Sequence, residues 1–68
     1  MIKFSERLQQ LRKEATLKQI DLAKILNTTQ RRISHLESGK IEPDLTTLVA
    51  IAKYFNVTLD YLIGVVDY

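Results

Sequence analysis

The sequence predicts an all-α domain of five short helices. Apolar residues recur with a 3.6-residue period in four separate segments, those segments end in plausible capping residues, and no alternating strand pattern of useful length appears. Sixty-eight residues make one domain, 1–68, with no internal repeat, low-complexity stretch or linker. A chain this short buries only roughly 60% of its unfolded surface, so its stability should be a few kcal/mol.

The first helix spans about residues 5–14, where Phe4, Leu8 and Leu11 fall on one face at i, i+4 and i+7. The second covers about residues 18–26 and turns Leu22, Ala23 and Leu26 inward. Asn27-Thr28 forms the link to the third, because asparagine tolerates positive φ better than any residue but glycine. Thr29 is placed to cap the third helix, about residues 30–38, whose buried pair is Ile33 and Leu36. Gly39 follows where a helix commonly ends in a left-handed residue. Pro43 cannot continue a helix, and Asp44 is a good N-cap for the fourth, about residues 45–55. That segment carries Leu45, Leu48, Val49, Ile51, Ala52 and Phe55 around more than one face, the pattern of a central helix. Asn56 ends it, Thr58 caps a short fifth helix over about residues 59–63, and Gly64 stops that one.

Composition narrows the function classes. With no cysteine, a disulfide framework or thiolate metal site is excluded, and a reducing cytosol is a compatible setting. Apolar runs are only a few residues long and charges interrupt MIKFSERLQQLRKE throughout, so neither a membrane span nor a signal-peptide core is expected. One histidine, no glycine-rich phosphate loop and no clear acid–base pair argue against an enzyme, and no cofactor or metal is expected. The net charge of +2 is uneven: residues 1–40 hold nine basic against four acidic side chains, and residues 41–68 hold one against four. A basic half suits a polyanion partner.

The segment QIDLAKILNTTQRRISHLESGKIEP, residues 19–43, concentrates the functional signal. Two short helices joined by a sharp turn, the second with a polar, basic outer side, form the layout of a helix-turn-helix that reads DNA. With Ile33 and Leu36 inward, the outer side of the third helix carries Gln30, Arg31, Ser34 and His35, with Arg32 on one flank. Glutamine can pair with adenine through its amide edge, and arginine with guanine through two parallel hydrogen bonds. Gln19, at the N-terminus of the second helix, and Lys40, beside Gly39, are candidates for phosphate contacts on either side of the reading helix. Adjacent arginines alone are common on solvated helices; the turn, the cap and the buried pair give them weight.

These residues resemble the lambda-repressor-like (Cro/repressor, xenobiotic-response-element) helix-turn-helix proteins of bacteria and phages. The resemblance covers about residues 4–64 and rests on Leu17, Gln19, Leu22-Ala23, the Asn27 turn, Ile33-Ser34, Glu37-Ser38-Gly39-Lys40, Pro43, and the run Phe55-Asn56-Val57 to Leu59-Asp60-Tyr61-Leu62. It implies a five-helix DNA-binding domain, a cytoplasmic setting at the nucleoid, and a transcriptional regulator, most simply a repressor. Gln30, Arg31 and His35 would be the main base readers, with Arg32, Ser34 and Lys40 as phosphate or flanking contacts. Gln19 would hold a phosphate and brace the reading helix, and Glu37 would form a buried ion pair with Arg12 of the first helix.

Several positions depart from the family pattern. Thr16 stands where a glycine usually ends the first helix, and a β-branched residue is costly at positive φ. Lys18 replaces the usual threonine cap, so the second helix is expected to lack a side-chain N-cap. Ile20 and Ile25 occupy positions that are often polar and would be partly buried or form a small contact patch.

Such readers usually pair, so that two helices enter successive major grooves of an inverted repeat about 34 Å apart. The partner expected is therefore a double-stranded DNA operator, with a homodimer formed in solution or only on DNA. Ile41, Leu59, Tyr61, Val65, Val66 and Tyr68 are the candidates for the self-complementary patch. A protein-interaction module, such as an antitoxin or anti-regulator partner, is the competing reading. The basic, polar outer side of the third helix favours DNA over it.

Overall fold

A computed structural model of the protein describes residues 3–67, so Tyr68 lies outside the described residues. Five helices follow in order: α1 (Phe4–Glu14), α2 (Gln19–Ile25), α3 (Gln30–Ser38), α4 (Leu45–Phe55) and α5 (Leu59–Leu62). No strand occurs among the described residues. The all-α, five-helix expectation holds, with boundaries shifted by at most one residue at either end.

Leu8, Leu22, Ala23, Ile33, Leu36, Ile51 and Leu62 are fully buried, with Leu11 and Ala52 close to it; Phe4, Leu26, Leu48 and Phe55 pack around them. Every helix therefore contributes to one core. Helix α3 packs against both α1 and α2, while α4 packs on α5, which returns to α1.

The expectation that α4 is central is corrected. Its only buried residues are Ile51 and Ala52, Leu45 is 69% exposed, and the most extensively packed helix is α3, which lies against both α1 and α2 over the fully buried Ile33 and Leu36. Apolar residues around α4 reflect a face left on the surface, which periodicity alone cannot distinguish from a second buried face.

The caps follow the sequence closely. Thr29 Oγ1 accepts the Arg32 N–H, Asp44 Oδ1 accepts the Thr47 N–H and Thr58 Oγ1 accepts the Tyr61 N–H. Lys18 supplies no side-chain acceptor, yet the second helix is not left open, because Asp21 reaches back to accept the Lys18 N–H at 2.9 Å. All five helices end in a left-handed residue: Thr16, Asn27, Gly39, Asn56 and Gly64 have φ between 55° and 85°. At each, the following N–H bonds back to the carbonyl five residues earlier, from Leu17, Thr28, Lys40, Val57 and Val65.

Candidate nucleic-acid interface

Asn27, at φ 56°, makes the sharp turn between α2 and α3, and the Thr28 N–H closes onto Ala23 O at 2.8 Å. With Ile33 and Leu36 fully buried beneath it, α3 presents its opposite side outward. Gln30 and Arg31 are exposed on its first turn, and Ser34 and His35 are half-buried one turn further along. Positions i, i+1, i+4 and i+5 form one continuous strip on a helix. The three main candidate base readers and Ser34 among them therefore share a face.

Beneath that strip, an ion pair holds the helix. Arg12 Nε donates to Glu37 Oε2 at 2.6 Å and Nη2 donates to Glu37 Oε1 at 3.0 Å, while Nη1 donates to Leu17 O at 2.7 Å. Arg12 is 9% and Glu37 8% exposed, so this is a buried, bidentate contact between α1 and α3. The Glu37 hydrogen bonds hold the Arg12 guanidinium above its ordinary range against the opposing effect of burial. Gln19 Nε2 donates to Glu37 Oε1 at 3.2 Å. One carboxylate thus ties the start of α2 and the body of α3 to α1.

The candidate phosphate residues divide. Gln19 is half-buried in the Glu37 network, which engages its amide nitrogen. Lys40 is exposed just past Gly39, and its N–H bonds to His35 O at 2.9 Å, which fixes where its side chain starts. Arg32 turns away from the strip toward α4, where Nη2 donates to Thr47 Oγ1 at 3.2 Å and stands 4.0 Å from Asp44 Oδ1.

Sequence reasoning missed Arg7. It was counted with the basic half, but it is only 5% exposed, lies 3.8 Å over the Tyr61 ring, and its Nε has no hydrogen-bond partner among the described residues. A charged residue between apolar neighbours at helical spacing gives no sign of burial, and the stacking partner lies on a distant helix. Arg7 and Arg12 are both withdrawn from the basic surface.

The candidate dimer residues are also placed differently from one another. Leu59 and Val65 are exposed, at 37% and 56%, whereas Ile41 and Tyr61 are partly buried against the core. Val66 is half-buried. Ile20 and Ile25, at 40% and 41% exposed, remain largely on the surface.

A sequence profile described as helix-turn-helix matches residues 8–62. The chain is 44% identical over 63 residues to the HTH-type transcriptional activator BcrR of Enterococcus faecalis, covering 93% of this chain and 31% of that one. It spans about half the length of two further curated regulators from Bacillus subtilis, 52% and 48%. Among solved structures, a transcriptional regulator from Listeria innocua superposes with a TM-score of 0.88 at 37% identity, covering 96% of this chain and 63% of the other. The P22 c2 repressor, solved in complex with synthetic operator 9T, superposes with a TM-score of 0.85 at 28% identity, covering 93% and 96%.

Proposed function

Because the chain belongs to the helix-turn-helix family, in its lambda-repressor-like branch, we propose that it is a sequence-specific DNA-binding module of a transcriptional regulator. Helix α3 enters the major groove with Gln30, Arg31, Ser34 and His35 against base edges. Gln19, Arg32 and Lys40 meet phosphates around it. The observation that carries this reading is the division of α3 into a fully buried apolar side and a polar, basic outer strip. The Glu37 network then restrains the helix from behind, so that base contacts form with little loss of freedom.

Likeness to a repressor solved with its operator supports the DNA reading, and likeness to a named activator leaves the direction of regulation to the position of the site. Repression follows wherever that site overlaps a promoter, because a bound domain and the polymerase compete for the same duplex.

We also place a homodimer on the DNA, with Leu59 and Val65 at the contact. The domain measures 28 × 22 × 20 Å. Two abutting copies can therefore set their α3 helices about 34 Å apart, one in each of two successive grooves.

Selection of bound duplexes from a random pool at near-physiological salt tests the proposal. Enrichment of an inverted repeat with half-site centres about one helical turn apart supports a dimeric operator reader. Weak, salt-sensitive binding to every duplex without enrichment refutes sequence-specific reading by this chain.

A further inference from the structure

Arg32 is the one member of the outer α3 group whose guanidinium is held by another helix. Its side chain is 38% exposed, with Nη2 on Thr47 Oγ1 at 3.2 Å. A cleft of about 100 Å³ between α3 and α4 lies alongside, lined by Thr28, Ile33, Thr47 and Ala50 as well as Arg32 itself. Thr47 is in turn fixed by the helix cap, since its N–H donates to Asp44 Oδ1 at 2.8 Å. Asp44 sits 4.0 Å from the guanidinium and is held below the usual carboxylate range by the Thr47 hydroxyl first, then by the Thr47 N–H, with a smaller contribution from the Arg32 charge. The cap of α4 and the anchoring of Arg32 are thus one arrangement.

A guanidinium carries five N–H donors in a planar fork, and Thr47 engages one nitrogen. With 38% of the side chain exposed, part of the fork can still meet a phosphate. A long side chain already held in one orientation loses less freedom on binding than a free one. It also presents its charge at one place along the duplex, and phosphate contacts at defined places set the register of a reading helix.

Building on the DNA reading above, we propose that Thr47, backed by Asp44, is a positioning residue for Arg32: it holds the guanidinium at the α3–α4 junction as a preset phosphate clamp that sets the register of α3. Neither Thr47 nor Asp44 needs to touch DNA in this arrangement. The Asp44 charge repels a phosphate that approaches the start of α4 directly, so the contact is confined to the outer edge of Arg32.

A double-mutant cycle tests this on the duplex enriched by the selection. Thr47→Val removes the hydroxyl while keeping shape and charge, and thermal melting checks that it folds. Thr47→Val is expected to weaken binding about three- to tenfold, the scale of one hydrogen bond. In an Arg32→Ala background, where the slope of log K against log salt should fall by about one, it is expected to change nothing. Equal losses in both backgrounds overturn the proposal, because Thr47 would then act independently of Arg32. The free protein supplies a second readout: by NMR, rotation of the Arg32 guanidinium and exchange of its Nε–H should accelerate in Thr47→Val, and unchanged rates overturn the proposal equally. A chain that binds no DNA fails the underlying reading and the clamp with it. A chain that binds DNA with additive losses fails the clamp alone.

Discussion

Glu37 joins three helices through one buried carboxylate, accepting from Arg12 of α1 and Gln19 of α2. Buried ion pairs are weak evidence of net stability, since desolvating two charges offsets much of their attraction, but removing one partner leaves the other buried and uncompensated. Arg12→Ala is therefore expected to lower stability by about 3 kcal/mol, because Glu37 at 8% exposure would keep only the Gln19 amide. An unchanged thermal melt would remove that role. Thr16 is the opposite case. At φ 57° it occupies a left-handed position that suits glycine, and it is exposed, so no packing compensates. Thr16→Gly is expected to stabilise the fold by about 0.5–1 kcal/mol, the relief of strain less the extra unfolded-state entropy of glycine. Urea unfolding of the two chains reads this directly.

Local chemistry of the same kind shapes the elements. Each helix is short, so its unpaired end groups are a large fraction of its backbone, and nearly every end is closed by a side chain or a left-handed residue. Most of this was legible in sequence: Thr29, Asp44 and Thr58 as caps, and Asn27, Gly39, Asn56 and Gly64 as stops. The Asp21 reach-back to Lys18 was also written there, three residues after the cap position, but a lysine at the cap concealed it. The Asp44 cap has a pH signature. Its folded pKa lies below the ordinary 3.8, so its contribution is complete above the unfolded value and lost as pH falls through the lowered folded value. The substitution Asp44→Asn would keep a cap acceptor that does not titrate. Between about pH 5 and about pH 2, the native chain is thus expected to lose more stability than the Asp44→Asn variant. Parallel acid-limb curves for the two would contradict the assignment.

At the scale of the whole molecule, basic and apolar surfaces do different work. Arg7 and Arg12 are drawn inside, so in the proposed reading the attraction to DNA falls to exposed cations around α3, Arg31 and Lys40 among them. Leu59 on α5 and Val65 just past it, both exposed, form the surface proposed for self-association. Tyr61 is a poor place to test it, since its ring supports the Arg7 guanidinium at 3.8 Å and a charge there would disturb the fold. Leu59→Lys with Val65→Lys is expected to leave the thermal melt nearly unchanged and to weaken binding to an inverted-repeat duplex at least tenfold, while a single half-site is bound as before. Equal binding to both duplexes by the variant and the native chain would exclude this contact.

Helix positions, their caps, the Asn27 turn and the outer strip of α3 could all be read from the chain because each is set by local chemistry: a 3.6-residue period, a side chain that satisfies a nearby N–H, a residue that accepts positive φ. The Arg12–Glu37 pair was reached only through resemblance, since the two residues lie 25 apart. Which apolar helix is central, that Arg7 stacks beneath Tyr61, that Gln19 joins Glu37 and that Arg32 leaves the strip for Thr47 were decided only when the helices packed. Those contacts span 15 to 54 residues of chain, or arise from how α4 lies across the core, and no periodicity records the angle at which one helix crosses another.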